Sequence, residues 1–254
     1  TTLMSNLRIM RKTLINQISK RNSTSREIIT SVVHSLLSRS IFIKYLEERK
    51  DSNGQTVFPY GFYSNFLESA KQYTDVLKDK EATYNLFHSL REKFHGDTLQ
   101  VSEIEEEIIT QADLEELRAF LLGDSDLESR QLSLWPLYSF DIIPIQLISS
   151  IYELFFHLSD EDDEKGTYYT PLHLVNLLID EVYPWEGDYK EITFFDPSCG
   201  SGIFLVEAYR RIVCRWMYHN NSNSITCDQL ELLLTKCIFG VDINEEAIRV
   251  ASRS

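Results

Sequence analysis

Cysteine is scarce: four residues in 254, Cys199, Cys214, Cys227 and Cys237. They have neither the paired spacing of a zinc site nor the density of a disulfide scaffold, and they read as reduced thiols of a cytoplasmic protein. The six histidines are scattered, so no metal site is expected. No run approaches the ~20 consecutive apolar residues of a membrane span, and no signal peptide is visible. Proline occurs six times and never twice in a row. Internal repeats and low-complexity linkers are absent. With 43% apolar residues, the chain holds enough hydrophobic material for one large or two medium cores.

Basic charge is also short, at 25 Lys and Arg against 39 Asp and Glu, a net charge of −14. Affinity for a phosphate backbone rests largely on Lys and Arg, so this balance is unfavourable for nucleic-acid binding by the whole surface. The charge is uneven. From Thr1 to Lys50 there are ten basic and three acidic residues; from Gln100 to Gly166 there are three and seventeen. Most of the chain therefore faces away from any nucleic acid. Arg8, Arg11, Lys12, Lys20, Arg21 and Arg26 are open either to phosphates, to a neighbouring domain or simply to water as a solvated helix. Asp160 to Glu164 reads as a solvated acidic loop.

The first part of the chain is mainly helical in pattern. Thr24 or Ser25 caps a helix running to about Lys50, with Ile28, Ile29, Val32, Val33, Leu36, Leu37, Ile41, Phe42 and Tyr45 on one apolar face. Further helices are expected over about 60–78 and 81–94. Ser102 to Glu105 is a capping-box pattern, with a helix continuing toward Leu122-Gly123. Residues 133–143 are ambiguous. Pro144 then opens a helix with Leu147, Ile148, Ile151, Tyr152, Phe155 and Phe156 on its buried side.

The most informative stretch is Asp196-Pro197-Ser198-Cys199-Gly200-Ser201-Gly202. It follows the apolar Ile192 to Phe195 and precedes Ile203-Phe204-Leu205-Val206. This is a strand, a tight turn headed by a carboxylate, then a helix. Glycine there permits positive φ and close approach of a ligand, and the helix start offers unpaired N–H groups. No Lys-Ser/Thr follows the glycines, which excludes a P-loop. The Gly-x-Gly spacing disfavours a dinucleotide. A leading acid suits a ligand bearing a cation or amino group.

Two further segments flank it. Thr170-Pro171 starts a helical pattern with Leu172, Val175, Leu177, Leu178 and Val182, Thr170 suiting the N-cap and Pro171 the first helical position. Asp242 ends the apolar run from Ile238, and Ile243 and Asn244-Glu245-Glu246 follow as a helix start. An acid in that place can accept hydrogen bonds from both hydroxyls of a ribose. Read plainly, Thr170 and Asp242 would be caps and nothing more. Asp242 lies 46 positions after Asp196, against about 20 in the usual nucleotide fold. The extra length holds a polar loop, His219 to Ser224, and an added helix, Thr226 to Lys236.

Asp196 to Leu205 resembles the cofactor loop of the S-adenosylmethionine-dependent DNA N6-adenine methyltransferases of restriction–modification systems. The resemblance is to type I modification subunits and to fused restriction–methylation enzymes. Gly166-Thr167-Tyr168-Tyr169-Thr170-Pro171 and Ile238-Phe239-Gly240-Val241-Asp242-Ile243-Asn244 resemble two more of the family's segments, in the same order over about 90 residues. Arg39 to Arg49 and Ile148 to Glu153 are also similar to family segments.

The resemblance implies an α plus α/β chain: a helical domain over 1–158, then, over 159–254, the first part of a Rossmann-like methyltransferase domain with an incomplete sheet. It implies that S-adenosylmethionine is held by Tyr169, Thr170, Asp196, Pro197, Ser198, Cys199, Gly200, Gly202, Asp242 and Ile243. The helix start at Thr170 would take the methionine carboxylate, Asp242 the ribose, and Ile243 the adenine. DNA would be the partner of the intact protein, with a specificity domain or subunit and a nuclease domain or subunit as companions. The family's Asn-Pro-Pro-Tyr/Phe segment, which holds the flipped target base, does not occur before Ser254, and no Pro-Asp…Glu-x-Lys nuclease pattern is present. No catalytic residue is therefore expected here. Methyl transfer to RNA or protein, and a non-catalytic helical assembly module with a vestigial pocket, are the alternatives.

Overall fold

The computed structural model describes residues 2–50, 54–94, 100–123, 170–186, 192–243, 247–248 and 251. The chain divides into two compact units, residues 1–144 and 145–254. The domain boundary expected at 158, the helix expected from Pro144, the acidic loop and Gly166 to Tyr169 all lie outside the described residues.

The described residues of the first unit are mainly helical. Helix α1 (Thr2–Arg21) buries Leu3, Leu7, Met10, Leu14 and Ile18, a stripe at three- and four-residue spacing. It packs on α2 (Arg26–Glu48), where the Ser25 Oγ accepts from the Ile28 N–H at the N-cap. The buried face of α2 differs from the apolar pattern at its edges: Ile28 is exposed, while Ile43 is buried. Arg39 is fully buried beside them. Of the six basic residues offered to phosphates, two are engaged within the unit. The Arg11 Nε donates to the His34 Nε2 at 2.7 Å, and Arg21 pairs with Asp113 and donates to the Ile108 carbonyl.

The helix expected over 60–78 is not one helix. A short 3-10 turn (Phe62–Asn65) is followed by α3 (Tyr73–Val76). Gly61 is left-handed at φ 78°, Phe58 stacks on Phe62, and Tyr63 and Phe66 meet the Phe62 ring edge-on. The Ser64 Oγ donates to the Ala70 carbonyl, and the Tyr73 N–H donates to Glu47 on α2 at 2.6 Å. Side chains thus take the bonds a continuous helix would have used. Helix α4 (Lys80–Phe94) forms as the pattern indicates.

The single helix expected from Ser102 is two, α5 (Glu103–Ile108) and α6 (Gln111–Leu122). Ser102 caps α5 through the Glu105 N–H, but the Glu105 carboxylate turns inward to Arg39 instead of closing the capping box. The break at Thr110 is a second cap. The Asp113 Oδ2 accepts from the Thr110 N–H at 2.7 Å and from its Oγ1 at 2.8 Å. Left-handed Gly123 ends α6 at φ 63°.

Burial first, then the Arg11 guanidinium, pushes the half-buried His34 imidazole down from 6.5 to about 3. Its neutral form is favoured in the fold, so as pH falls the unfolded chain takes up that proton first. The stability this site contributes is whole above 6.5 and is lost progressively toward about 3. Melting temperatures measured from pH 7 to pH 4 should fall less steeply in His34→Gln, whose amide oxygen still accepts from Arg11. Parallel curves would remove His34 from the acid transition.

In the second unit, α7 (Leu172–Val182) precedes β1 (Phe194–Asp196), α8 (Ile203–His219), α9 (Cys227–Cys237) and β2 (Ile238–Gly240). The two strands are parallel, with Phe194 opposite Ile238, Phe195 opposite Phe239 and Asp196 opposite Gly240. The polar loop and added helix between the strands fall where the sequence puts them, Thr226 capping α9 through the Gln229 N–H. The described residues are thus mostly helical, with one small parallel sheet. Val175 and Ile179 of α7, with Tyr183 just past its end, join Ile203, Ile212, Leu233 and Cys237 in one core. Leu177, Leu178 and Val182, part of the apolar pattern of α7, are exposed, because one i, i+4 stripe alone faces α8. Thr170 does not cap this helix: the N-cap position is Pro171, whose carbonyl takes the Leu174 and Val175 N–H groups.

Candidate functional site

The turn after β1 is closed by its own first residue. The Asp196 Oδ1 accepts from the Ser198 N–H at 3.0 Å, which folds Pro197-Ser198 into an Asx turn. The chain then crosses to the other strand. The Cys199 N–H donates to the Val241 carbonyl at 3.0 Å, and the Val241 N–H to the Asp196 carbonyl at 2.9 Å. These bonds extend the pairing of β1 and β2 past their carboxyl ends. Asp196 and Asp242, 46 residues apart, are thereby brought to one end of the sheet.

Gly200 is left-handed at φ 51° and its N–H donates to the Asp242 Oδ2 at 2.9 Å. A Cβ placed on Gly200 meets no atom within 4 Å, so its side-chain direction is open space. Gly202, at φ 83°, is the N-cap of α8 and has the opposite surroundings: a Cβ there would lie 2.9 Å from the Ala251 Cβ. No side chain caps α8, so its first N–H groups face the turn. Gly240, beneath, is crowded by the Leu205 side chain and the Cys199 Sγ. One glycine leaves space; the other two allow close packing.

Cys199 is buried in this turn. Burial, then the Asp196 and Asp242 carboxylates, pushes its thiol up from 9.0. It stays protonated near neutral pH, which removes it as a nucleophile. The same two carboxylates make the sheet end favourable to a positive or amino-bearing group. Pro197 and Ser198 are exposed at the rim, and the Ile243 side chain is fully exposed beside Asp242. Thr170 is half-buried just ahead of α7, and Tyr169 lies outside the described residues. Among the described residues no cluster of His, Cys, Asp or Glu is arranged to hold a metal, and no helix is long and apolar enough to cross a membrane.

Sequence reasoning missed two arginines behind this turn. Arg211 is fully buried and Arg215 nearly so, both on the face of α8 that meets α7. Arg211 donates to Asp180, Asn176 and the Tyr183 carbonyl; Arg215 donates to the Pro184 and Glu186 carbonyls. The one signal in the sequence was their four-residue spacing on a helix whose neighbouring positions are apolar.

A solved structure assigned as the modification subunit of a type I restriction enzyme from Vibrio vulnificus YJ016 shows a likeness over 98% of this chain. It is 13% identical, with a TM-score of 0.47, too low to build on, and the chain spans 52% of its length. The sequence match is of a different kind: residues 144–253 fit the model of a family described as N-6 DNA methylase. That stretch begins where the second unit begins and contains the whole turn, both strands and Asp242. Residues 144 to 253 of this chain match the model of the N-6 DNA methylase family, the kind of family its three motifs resemble.

Proposed function

We propose that the second unit binds S-adenosylmethionine for methyl transfer to adenine N6 in DNA by the intact protein, as the first part of a Rossmann-like methyltransferase domain covering 159–254. The observation that carries the reading is the Gly200–Asp242 contact. It joins the acid-headed turn after one parallel strand to the acid after the next, beside an uncapped helix start and an open glycine face. Nucleoside cofactors are held at such strand ends.

The residues fit that group. The Asp242 carboxylate, steadied by the Gly200 N–H, accepts from the ribose hydroxyls. Exposed Ile243 covers one face of the adenine. Asp196, Pro197, Ser198 and Cys199 form the wall of the turn, Asp196 favouring the positive end of the ligand. Gly200 and Gly202 keep the backbone low beneath it. The start of α7 at Thr170-Pro171, with Tyr169 before it, receives the carboxylate of the methionine end. The cofactor, when bound, supplies a sulfonium methyl group. The chain's own contribution is to orient that methyl and hold it in a fixed polar setting. No residue here is assigned to the target adenine, since the family's target-base segment does not occur in this sequence.

Asp242→Ala in the intact protein should weaken S-adenosylmethionine binding by about 1.5–3 kcal/mol, the scale of a lost charged hydrogen bond. Calorimetry on the wild type and this variant tests it directly. Equal affinities would take Asp242 out of the site, and no binding by the wild type would remove the reading altogether.

A further inference from the structure

The two helices that start at the candidate site are locked together by charge, not by apolar packing alone. Arg211 on α8 reaches along α7: its Nη1 donates to the Asp180 Oδ1 at 2.5 Å and the Tyr183 carbonyl at 3.0 Å, its Nη2 to the Asn176 Oδ1 at 3.2 Å. One turn later on α8, Arg215 donates to the carbonyls of Pro184 and Glu186. The guanidinium groups lie over the rings of Trp185 and Tyr183, at 4.9 and 3.9 Å from their centroids.

This order of contacts fixes direction. Arg211 meets Asn176 and Asp180 of α7, and Arg215, one turn on, meets the chain just past the carboxyl end of α7, so the two helices run the same way. Val175, one turn into α7, and Ile203, the first residue of α8, lie in the same core. Both amino ends therefore stand at the same end of the unit, Thr170-Pro171 on one helix and Gly202 on the other. Arg211 is nine residues from Gly202, about 13 Å along the helix.

An apolar stripe such as Val175, Ile179 and Tyr183 resists separation of two helices but resists sliding only weakly. A planar guanidinium with acceptors on two successive turns resists sliding, because each donor has one direction. Burying that charge is costly unless every partner keeps its place. The arrangement is a device for register.

We infer that Arg211 is a positioning residue that sets the axial register of α7 on α8, and so sets how well the start of α7 receives the amino-acid half of the cofactor. The inference rests on the reading of the site given above. Arg211 itself is too deep to touch the ligand; it acts through Asn176, Asp180 and the helix they belong to.

The test compares two nucleosides that differ at that end and in the charge on sulfur, each variant being read against the wild type with the same ligand. S-adenosylmethionine carries the amino-acid half; 5′-methylthioadenosine has the same adenosine and no carboxylate. Calorimetry on the intact protein should show Arg211→Lys binding S-adenosylmethionine at least tenfold more weakly, with 5′-methylthioadenosine affinity changed less than twofold. A milder variant, Asn176→Ala, removes one acceptor and leaves the buried charge in place. It should lose S-adenosylmethionine affinity about threefold, again without loss for 5′-methylthioadenosine, and it decides the matter if Arg211→Lys does not fold. Equal losses for both nucleosides would mean that Arg211 merely supports the fold, and unchanged binding of both would mean it does not set the register; either result overturns the inference. A wild type that binds neither nucleoside overturns instead the cofactor reading on which it rests.

Discussion

Glu105→Ala is expected to destabilise the helical unit by about 3–5 kcal/mol, the cost of stranding one partner of a buried ion pair. Arg39 is fully buried on α2, and both carboxylate oxygens of Glu105 face it, at 2.6 and 3.1 Å. The Arg39 Nη2 also donates to the Gln100 carbonyl at 2.6 Å, and the guanidinium lies 4.6 Å from the centroid of Phe87. Removing the carboxylate leaves a cation with one carbonyl and one ring in a site closed to water. Replacing both members with apolar residues is a different experiment. Arg39→Met with Glu105→Leu removes the charge together with its partner, and should recover most of the loss. Amide hydrogen exchange across 26–48 and 103–108 reads both effects. If Glu105→Ala protects these helices as well as the wild type does, the pair does not hold α5 to α2.

The second large effect is expected at Gly202. Its φ of 83° costs an L-residue roughly 1–2 kcal/mol. The added Cβ also meets the Ala251 Cβ at 2.9 Å and the Ala251 Cα at 3.0 Å, and a backbone atom cannot swing aside as a side chain would. Overpacking of that kind adds about 1–3 kcal/mol. Gly202→Val should therefore lower the stability of the second unit by about 2–5 kcal/mol, seen as a lower urea midpoint in the fluorescence of Trp185 and Trp216. Gly200, two residues earlier, makes the contrast. Its φ is also positive, but its Cβ direction is empty. Gly200→Ala should cost only the backbone strain, about 1–2 kcal/mol, while placing a methyl group in the space proposed for the ligand. If the two substitutions cost the same stability, the close packing against Ala251 is not what Gly202 is for.

The sequence by itself determined what short-range chemistry controls. Ser25, Ser102 and Thr226 cap the helices that follow them, since a cap needs only an oxygen and an N–H two or three residues on. The strand, acid-headed turn and helix around Asp196 to Gly202 were legible for the same reason. So was the resemblance that the match of residues 144–253 to the N-6 DNA methylase model supports, because the three motifs keep a fixed order along the chain.

Only the tertiary structure decided the rest. The Glu105 carboxylate leaves its own cap for Arg39, 66 residues away, and Tyr73 gives its N–H to Glu47, 26 residues away. Arg39 and Arg211, charged in sequence and solvated by default, are the largest fully buried side chains among the described residues. Leu177 and Leu178, apolar in sequence, stay exposed. The Gly200–Asp242 contact spans 42 residues and exists because two strands pair in parallel. A local pattern fixes which groups a residue can satisfy within its own turn of chain. Which partner it satisfies is set by energies of a few kcal/mol for buried charge and unmet hydrogen bonds, and those arise only once distant segments exclude water from one another.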